Sequence, residues 1–157
     1  MQFVAIMKII TKNKRASFDY EILEKYETGI ELSGQEVKSV KSGHISISGS
    51  FAIERHSEIF LINAFIPPYQ AKNITKDYNP LRTRRLLMHR SEIEKLIGKT
   101  REKGLTLVPL RVYNKGGKIK IEIAIARSKK KIDKREQIRE REIKREIERE
   151  FKEKRYR

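Results

Sequence analysis

A chain of 157 residues with 37 Lys plus Arg against 21 Asp plus Glu carries a formal charge of +16. That is length enough for one domain with a sizeable core, and charge enough to favour polyanionic partners, nucleic acid ahead of anionic membrane. The lack of cysteine excludes disulfides and thiolate-bound metal, and no run is long and apolar enough for a membrane span. Residues 1–12 open with MQFVAIMKII, apolar but without a basic lead or a small-residue cleavage site, so they read poorly as a secretory signal. An extra strand or a disordered leader accounts for them equally well, and a cytoplasmic location is the simplest expectation.

Phe18, Tyr20 and Ile22 alternate, a reversal is expected near Glu27 and Gly29, and Ile30 and Leu32 resume the apolar pattern, which predicts two short strands. Ser33 with Glu36 three residues on has the form of a capping box, predicting a helix over 34–42 with Val37 and Val40 inward, Lys38 and Lys41 accessible and Gly43 at its end. From Ser50 to Ile66 the pattern is strand, turn near His56, strand, until Pro67 and Pro68 withdraw two backbone donors. A polar stretch from Tyr69 to Pro80 predicts a long surface loop. Arg82, Arg84 and Arg85 then form a compact basic patch in LRTRRLLMH, and Ser91 with Glu94 signals a second capped helix over 91–98. The hairpin LTLVPLRVYNKGGKIKIEIAI turns at Asn114–Gly117, with Ile119, Ile121, Ile123 and Ile125 on one face and Lys118, Lys120, Glu122 and Ala124 on the other.

Antiparallel strands, short helices and no βαβ rhythm predict a mainly β body over residues 13–128, a closed antiparallel barrel with short flanking helices; an open α+β sheet is the structural alternative. Residues 129–157 carry +6 of the total charge and only a narrow apolar stripe of Ile143, Ile147 and Phe151. Helix propensity without apolar area predicts a tail that is disordered when free and helical when a partner orders it. The three histidines, at 44, 56 and 89, fall in separate contexts, and no ligand spacing or Gly-rich phosphate loop implies a metal or cofactor. A binding protein is expected over an enzyme.

The ordered set NKRA (Asn13–Ala16), YETG (Tyr26–Gly29), GQEVKS (Gly34–Ser39), PPY (Pro67–Tyr69), NPLRTRRLLMH (Asn79–His89) and DKR (Asp133–Arg135) resembles the small protein B (SmpB) family, the tmRNA-binding or SsrA-binding proteins of bacterial trans-translation. The resemblance implies an OB-like barrel that binds the tRNA-like domain of tmRNA, and a tail that enters the decoding site and empty mRNA channel of a stalled ribosome. It places Glu27, Leu87 and His89 at tmRNA-binding positions and Asp133, Lys134 and Arg135 in the tail motif. With the accessible basic and aromatic groups, the expected RNA-binding set is Asn13, Lys14, Arg15, Glu27, Lys38, Lys41, Tyr69, Arg82, Arg84, Arg85, Leu87 and His89. The expected ribosome-binding set is Lys129, Lys130, Lys131, Asp133, Lys134, Arg135, Arg139 and Lys144. No cofactor or metal is implied, and the free protein is expected to be monomeric. Gln35, Asn79 and Ser128 depart from the residues usual in the family, Ser128 standing where a glycine would free the tail to pivot. A ribosome-associated or assembly protein without a tmRNA role is the alternative, ahead of an RNA-processing enzyme.

Overall fold

The computed structural model describes residues 6–70, 72, 76–102 and 104–155. Its elements follow in the order β1 (Met7–Lys12), α1 (Ala16–Asp19), β2 (Tyr20–Ile30), α2 (Gly34–Lys41), β3 (Phe51–Arg55), β4 (Glu58–Ile62), β5 (Arg84–Leu87), α3 (Arg90–Thr100), β6 (Leu105–Lys115), β7 (Lys118–Ser128) and α4 (Lys131–Arg155). Every ladder is antiparallel. Hydrogen-bonded neighbours run β6–β3–β4–β5–β2–β7 and return to β6, so six strands form a ring with helices at its margins. The segment before Asn13 supplies a strand: β1 runs along the Arg111–Lys115 half of β6, while β3 meets the other half through Ala52 and Leu107.

Period-two patterning fills the ring. Ile121, Ile123 and Ile125 of β7 are buried together with Ile59 and Leu61 of β4, Leu86 of β5, Val40 of α2 and Leu96 of α3, each such side chain contributing about 1.5–3 kcal/mol by its removal from water. The opposite face of β7 is not wholly solvated. Ala124 and Ala126 form a second buried cluster with Val108, covered by Tyr20, Ile22 and Leu110. At the hairpin tip Gly116 and Gly117 both hold positive φ, of 59° and 84°, as a two-residue reversal between right-twisted strands demands. His56 and Ser57 adopt the same left-handed region between β3 and β4, where the sequence predicted the interruption.

Three expectations change. β2 is one eleven-residue strand, because its ladder with β7 continues from Tyr20↔Ser128 to Gly29↔Lys120 without reversing. Gly29 serves close approach instead of a turn: a Cβ there would lie 3.2 Å from the Leu87 Cβ on β5. The second helix boundary also moves. Ser33 and Glu36 do form the reciprocal capping box of α2, but α3 starts at Arg90 behind an extended His89, without a side-chain cap. Ser91 and Glu94 lie inside that helix, and Glu94 instead meets Arg90 one turn away, at 3.7 Å.

Candidate nucleic-acid interface

The end of β2, the end of β5 and the start of α3 converge on a cleft of about 560 Å³ that includes Lys25, Glu27, Leu87, His89 and Lys120 in its walls. Gly29 is the floor that permits this, paired to Leu87 on one side and to Lys120 on the other. The structure therefore brings together Glu27, Leu87 and His89, which the sequence holds up to 62 residues apart. Leu87 is 45% exposed, an apolar surface beside two lysines and suited to a base or ribose face.

Glu27 is held from behind. It accepts a hydrogen bond from Tyr113 Oη and faces Lys115 Nζ, 3.3 Å from both carboxylate oxygens. The Tyr113 hydroxyl first, then Lys115 and the field of Lys120, outweigh desolvation and hold the Glu27 carboxyl below its ordinary range. Burial, reinforced by Glu27, pushes the Tyr113 phenol well above its own. At neutral pH the pair is thus a phenol donating to a carboxylate. Lys25, Lys120, Tyr26, Met88 and Glu92 also line the cleft and lie outside the expected binding set, although the outward placement of Lys120 on β7 is visible in its alternation. Tyr113 gave no local signal, since its partner lies 86 positions away.

The three arginines do not make one patch. In β5 the burial alternates, so Arg84 shares the inner face with Leu86 while Arg85 shares the outer face with Leu87. Arg84 is 0% exposed; its Nε donates to Glu36 Oε2 at 2.5 Å, Nη1 to Ala64 O at 2.8 Å and Nη2 to Pro80 O at 3.0 Å. It is a structural cation with no face left for phosphate, which corrects its expected role. Arg82 donates to the other Glu36 oxygen at 2.5 Å and keeps 45% of its side chain exposed. Arg85, 43% exposed, bridges Glu31 at 3.1 Å and Glu58 at 3.0 Å. Burial raises the Glu36 carboxyl, but the Ser33 N–H, Arg82 and Arg84 more than reverse this and leave it below its ordinary range.

Asn13 is half-buried: its N–H donates to Leu110 O at 2.7 Å and its Nδ2 to Pro109 O at 3.0 Å, tying the chain after β1 to β6. Lys14 and Arg15 are exposed. Asn13 and Arg15 line a separate cavity of about 410 Å³ with Ser48, Gly49 and Ser50. Lys38 and Lys41 stand on the solvent side of α2, and Tyr69 is exposed after the paired prolines; none of the three lines the Glu27 cleft.

The tail is a 25-residue helix without a buried residue. Lys130, Lys131, Asp133, Arg135, Arg139 and Lys144 are exposed, while Lys129 and Lys134 are partly covered. Lys129 Nζ donates to Ser17 O at 2.9 Å, and Lys134 Nζ lies 3.3 Å from Asp19 Oδ1. Among the described residues no cluster of three His, Cys, Asp or Glu could hold a metal ion, and no helix is long and apolar enough to cross a membrane.

The model of the SmpB protein family matches residues 10–153. The SsrA-binding protein of Synechococcus elongatus is 50% identical over 136 residues, 87% of this chain and 88% of its own. That of Geobacillus kaustophilus is 50% identical over 147 residues, 94% of each chain. A solved chain from the structure presented as "tmRNA-SmpB: a journey to the center of the bacterial ribosome" superposes with a TM-score of 0.64 at 42% identity, covering 87% of this chain and 96% of that one. The match spans the strand ring, the Glu27 cleft and all but the end of the tail helix, and the chain belongs to the SmpB protein family.

Proposed function

We propose that this protein binds the tRNA-like domain of tmRNA and delivers it to the A site of stalled ribosomes for trans-translation, with the tail probing the empty mRNA channel. The observation that carries the reading is the convergence of Glu27, Leu87 and His89, between Lys25 and Lys120, in one cleft. Family membership and the names of its SsrA-binding relatives support it. The lysines position phosphates, Leu87 and His89 offer a surface to an unstacked base or ribose, and Glu27 accepts from a base N–H or a 2′-hydroxyl. In this reading the ring is a closed OB-like barrel that holds RNA on its outer surface, and the protein acts in the cytoplasm by binding alone, without catalysis. Arg82, Arg85, Lys38, Lys41, Tyr69, Lys14 and Arg15 extend the RNA surface around the body, and Asn13 fixes the backbone that presents the last two.

The tail works differently. Its helix runs to Arg155 in the structure but buries no residue, and we infer that over most of its length it disorders in the free protein, since Glu140–Lys144, Glu148–Lys152 and Glu150–Lys154 each contribute only about 0.2–0.5 kcal/mol to a formed helix. In the channel, phosphates compensate Lys130, Lys131, Arg135, Arg139 and Lys144, and exclusion of water favours the internally bonded helix.

The test is a purified chain lacking residues 133–157, measured for affinity to the isolated tRNA-like domain and for peptide tagging in a reconstituted reaction. Retained affinity with tagging abolished is the expected result. Loss of both in a folded body makes the tail part of primary RNA binding, and retained tagging rejects its role in the channel. Equal affinity for unrelated folded RNAs would favour a general ribosome-associated protein.

A further inference from the structure

We propose that α1 is a dock that fixes the direction in which the tail helix leaves the body, with Asp19 as its positioning residue. The inference deepens the functional reading above and rests on it for its consequence, though the dock itself has a readout that needs no RNA.

Two contacts tie α1 to the link before α4, and two tie it to the helix itself. Lys129 N–H donates to Asp19 O at 2.9 Å, Lys129 Nζ to Ser17 O at 2.9 Å, Lys134 Nζ reaches the Asp19 carboxylate at 3.3 Å, and the Arg141 guanidinium lies 5.6 Å from the centroid of the Phe18 ring. Between the residue tied to the α1 backbone and the first residue of α4 stands Lys130 alone, whose carbonyl accepts from Lys134 N at 3.2 Å. A link this short leaves little room for a pivot. Ser128, just before the lysine run, is itself paired in the ladder with Tyr20.

The covered side of the helix base is a stripe of its own. Lys134, Gln137 and Arg141 recur at i, i+3 and i+7, which places them on one side of a 3.6-residue helix; Lys134 and Gln137 are its partly covered residues, and the rest of the described helix is exposed. Ile143, Ile147 and Phe151 lie on another side and further along, all exposed. One stripe therefore serves the body and the other is left for whatever the distal helix meets. The dock is also joined to the cleft by one strand, β2, whose register with β7 shifts once between Ile22 and Glu24. β2 begins next to Asp19 and carries Glu27, so Tyr20 and Glu27 are about 23 Å apart along one continuous strand. A direction set at α1 is thereby set relative to bound tRNA-like RNA, and the tail enters its channel already aimed, with the ordering of its first turns completed beforehand.

The experiment uses the full chain, its Asp19→Asn/Phe18→Ala double variant and Asp19→Glu. Amide hydrogen exchange of the free proteins is expected to show protection over residues 130–141 and to fade beyond Lys144, to fall about 5- to 30-fold in the double variant, and to be largely kept by Asp19→Glu. Affinity for the tRNA-like domain is expected within about twofold of the parent, with tagging on stalled ribosomes reduced several-fold, beyond an uncertainty of about twofold in either assay. Exchange over 130–141 as fast in the parent as in an unfolded peptide would overturn the dock. So would protection and tagging both unchanged in the double variant, and if the 133–157 truncation still abolished tagging, the tail's function would survive that result. Normal tagging by the truncation would instead remove the functional reading and leave the exchange data to decide the dock alone.

Discussion

Tyr113 Oη donates to the Glu27 carboxylate, so a phenol buried in β6 holds an acid in the wall of the candidate cleft on β2. The bond fixes both the position of the acid and its charge. Tyr113→Phe keeps the ring and removes only the donor, leaving Lys115 at 3.3 Å as the remaining direct partner. Because the folded carboxyl lies below its ordinary range, the charged form persists above its unfolded pKa and is lost as pH falls through the depressed folded value. In the variant that loss moves to higher pH. Affinity for the tRNA-like domain is expected to fall by a few-fold to about tenfold near pH 7. Its decline on acidification from about pH 7 to about pH 4 is expected to start earlier than in the parent. Coincident pH profiles in folded proteins would show that Tyr113 does not tune the acid.

Glu36 and Arg84 are a buried ion pair with exposures of 1% and 0%. Arg84→Met leaves the carboxylate without one of its two arginines and is expected to lower unfolding stability by about 3–5 kcal/mol, read from urea denaturation. Glu36→Gln should be similarly damaging, and the double variant less so than the sum of the two. The depressed Glu36 carboxyl contributes stability above its unfolded pKa that disappears as pH falls through the folded one. Acid unfolding is therefore expected to be less steep in Glu36→Gln than in the parent. Additive losses would show that the two groups do not act as a pair.

Salt dependence separates the basic residues. Lys25 and Lys120 line the cleft, and replacing either by Gln is expected to reduce the slope of log affinity against log salt by about 0.7–0.9 if it meets one phosphate. Arg85 already faces Glu31 and Glu58, and Arg85→Gln should change the slope less. Filter binding across a salt series decides the order. A larger effect at Arg85 would move the phosphate track from the cleft to the outer face of β5.

Gly29→Ala places a methyl 3.2 Å from the Leu87 Cβ. Leu87 must yield by a few tenths of an ångström, at a cost of about 1–3 kcal/mol, and the displaced side chain narrows the cleft. Reduced melting temperature together with weakened RNA binding is the expected pair of results. Stability lost with affinity intact would mean that the Leu87 surface is not part of the interface.

What was legible in the sequence was what short-range chemistry decides. The Ser33–Glu36 cap and the Gly116–Gly117 hairpin appear where their local patterns put them, because each is a contract between neighbours. Three arginines within four positions have the form of a surface patch, and that pattern hides the inward turn of Arg84. The period-two register with Leu86 that turns it inward was also visible, but burying it required Glu36, 48 residues away. At Gly29 the local pattern signals reversal, whereas the constraint comes from Leu87 across a ladder. The cleft was legible only through family resemblance; its lysines and the Tyr113 lock follow from the register of strands distant in sequence.

The same ring sets a schedule for synthesis. β1 closes onto Arg111–Lys115, so about 100 residues must follow it from the ribosome before its ladder exists, a wait of about 5–20 s at ordinary elongation rates. The β2–β7 ladder needs Ser128 to close fully. Until β6 and β7 are made, β1 has no partner and β2 and β3 each lack one neighbour, and a chain halted before residue 128 leaves the β2 edge incompletely sealed and open to aggregation. For a protein proposed to serve ribosomes that stall, its own translation is a race to finish one late hairpin.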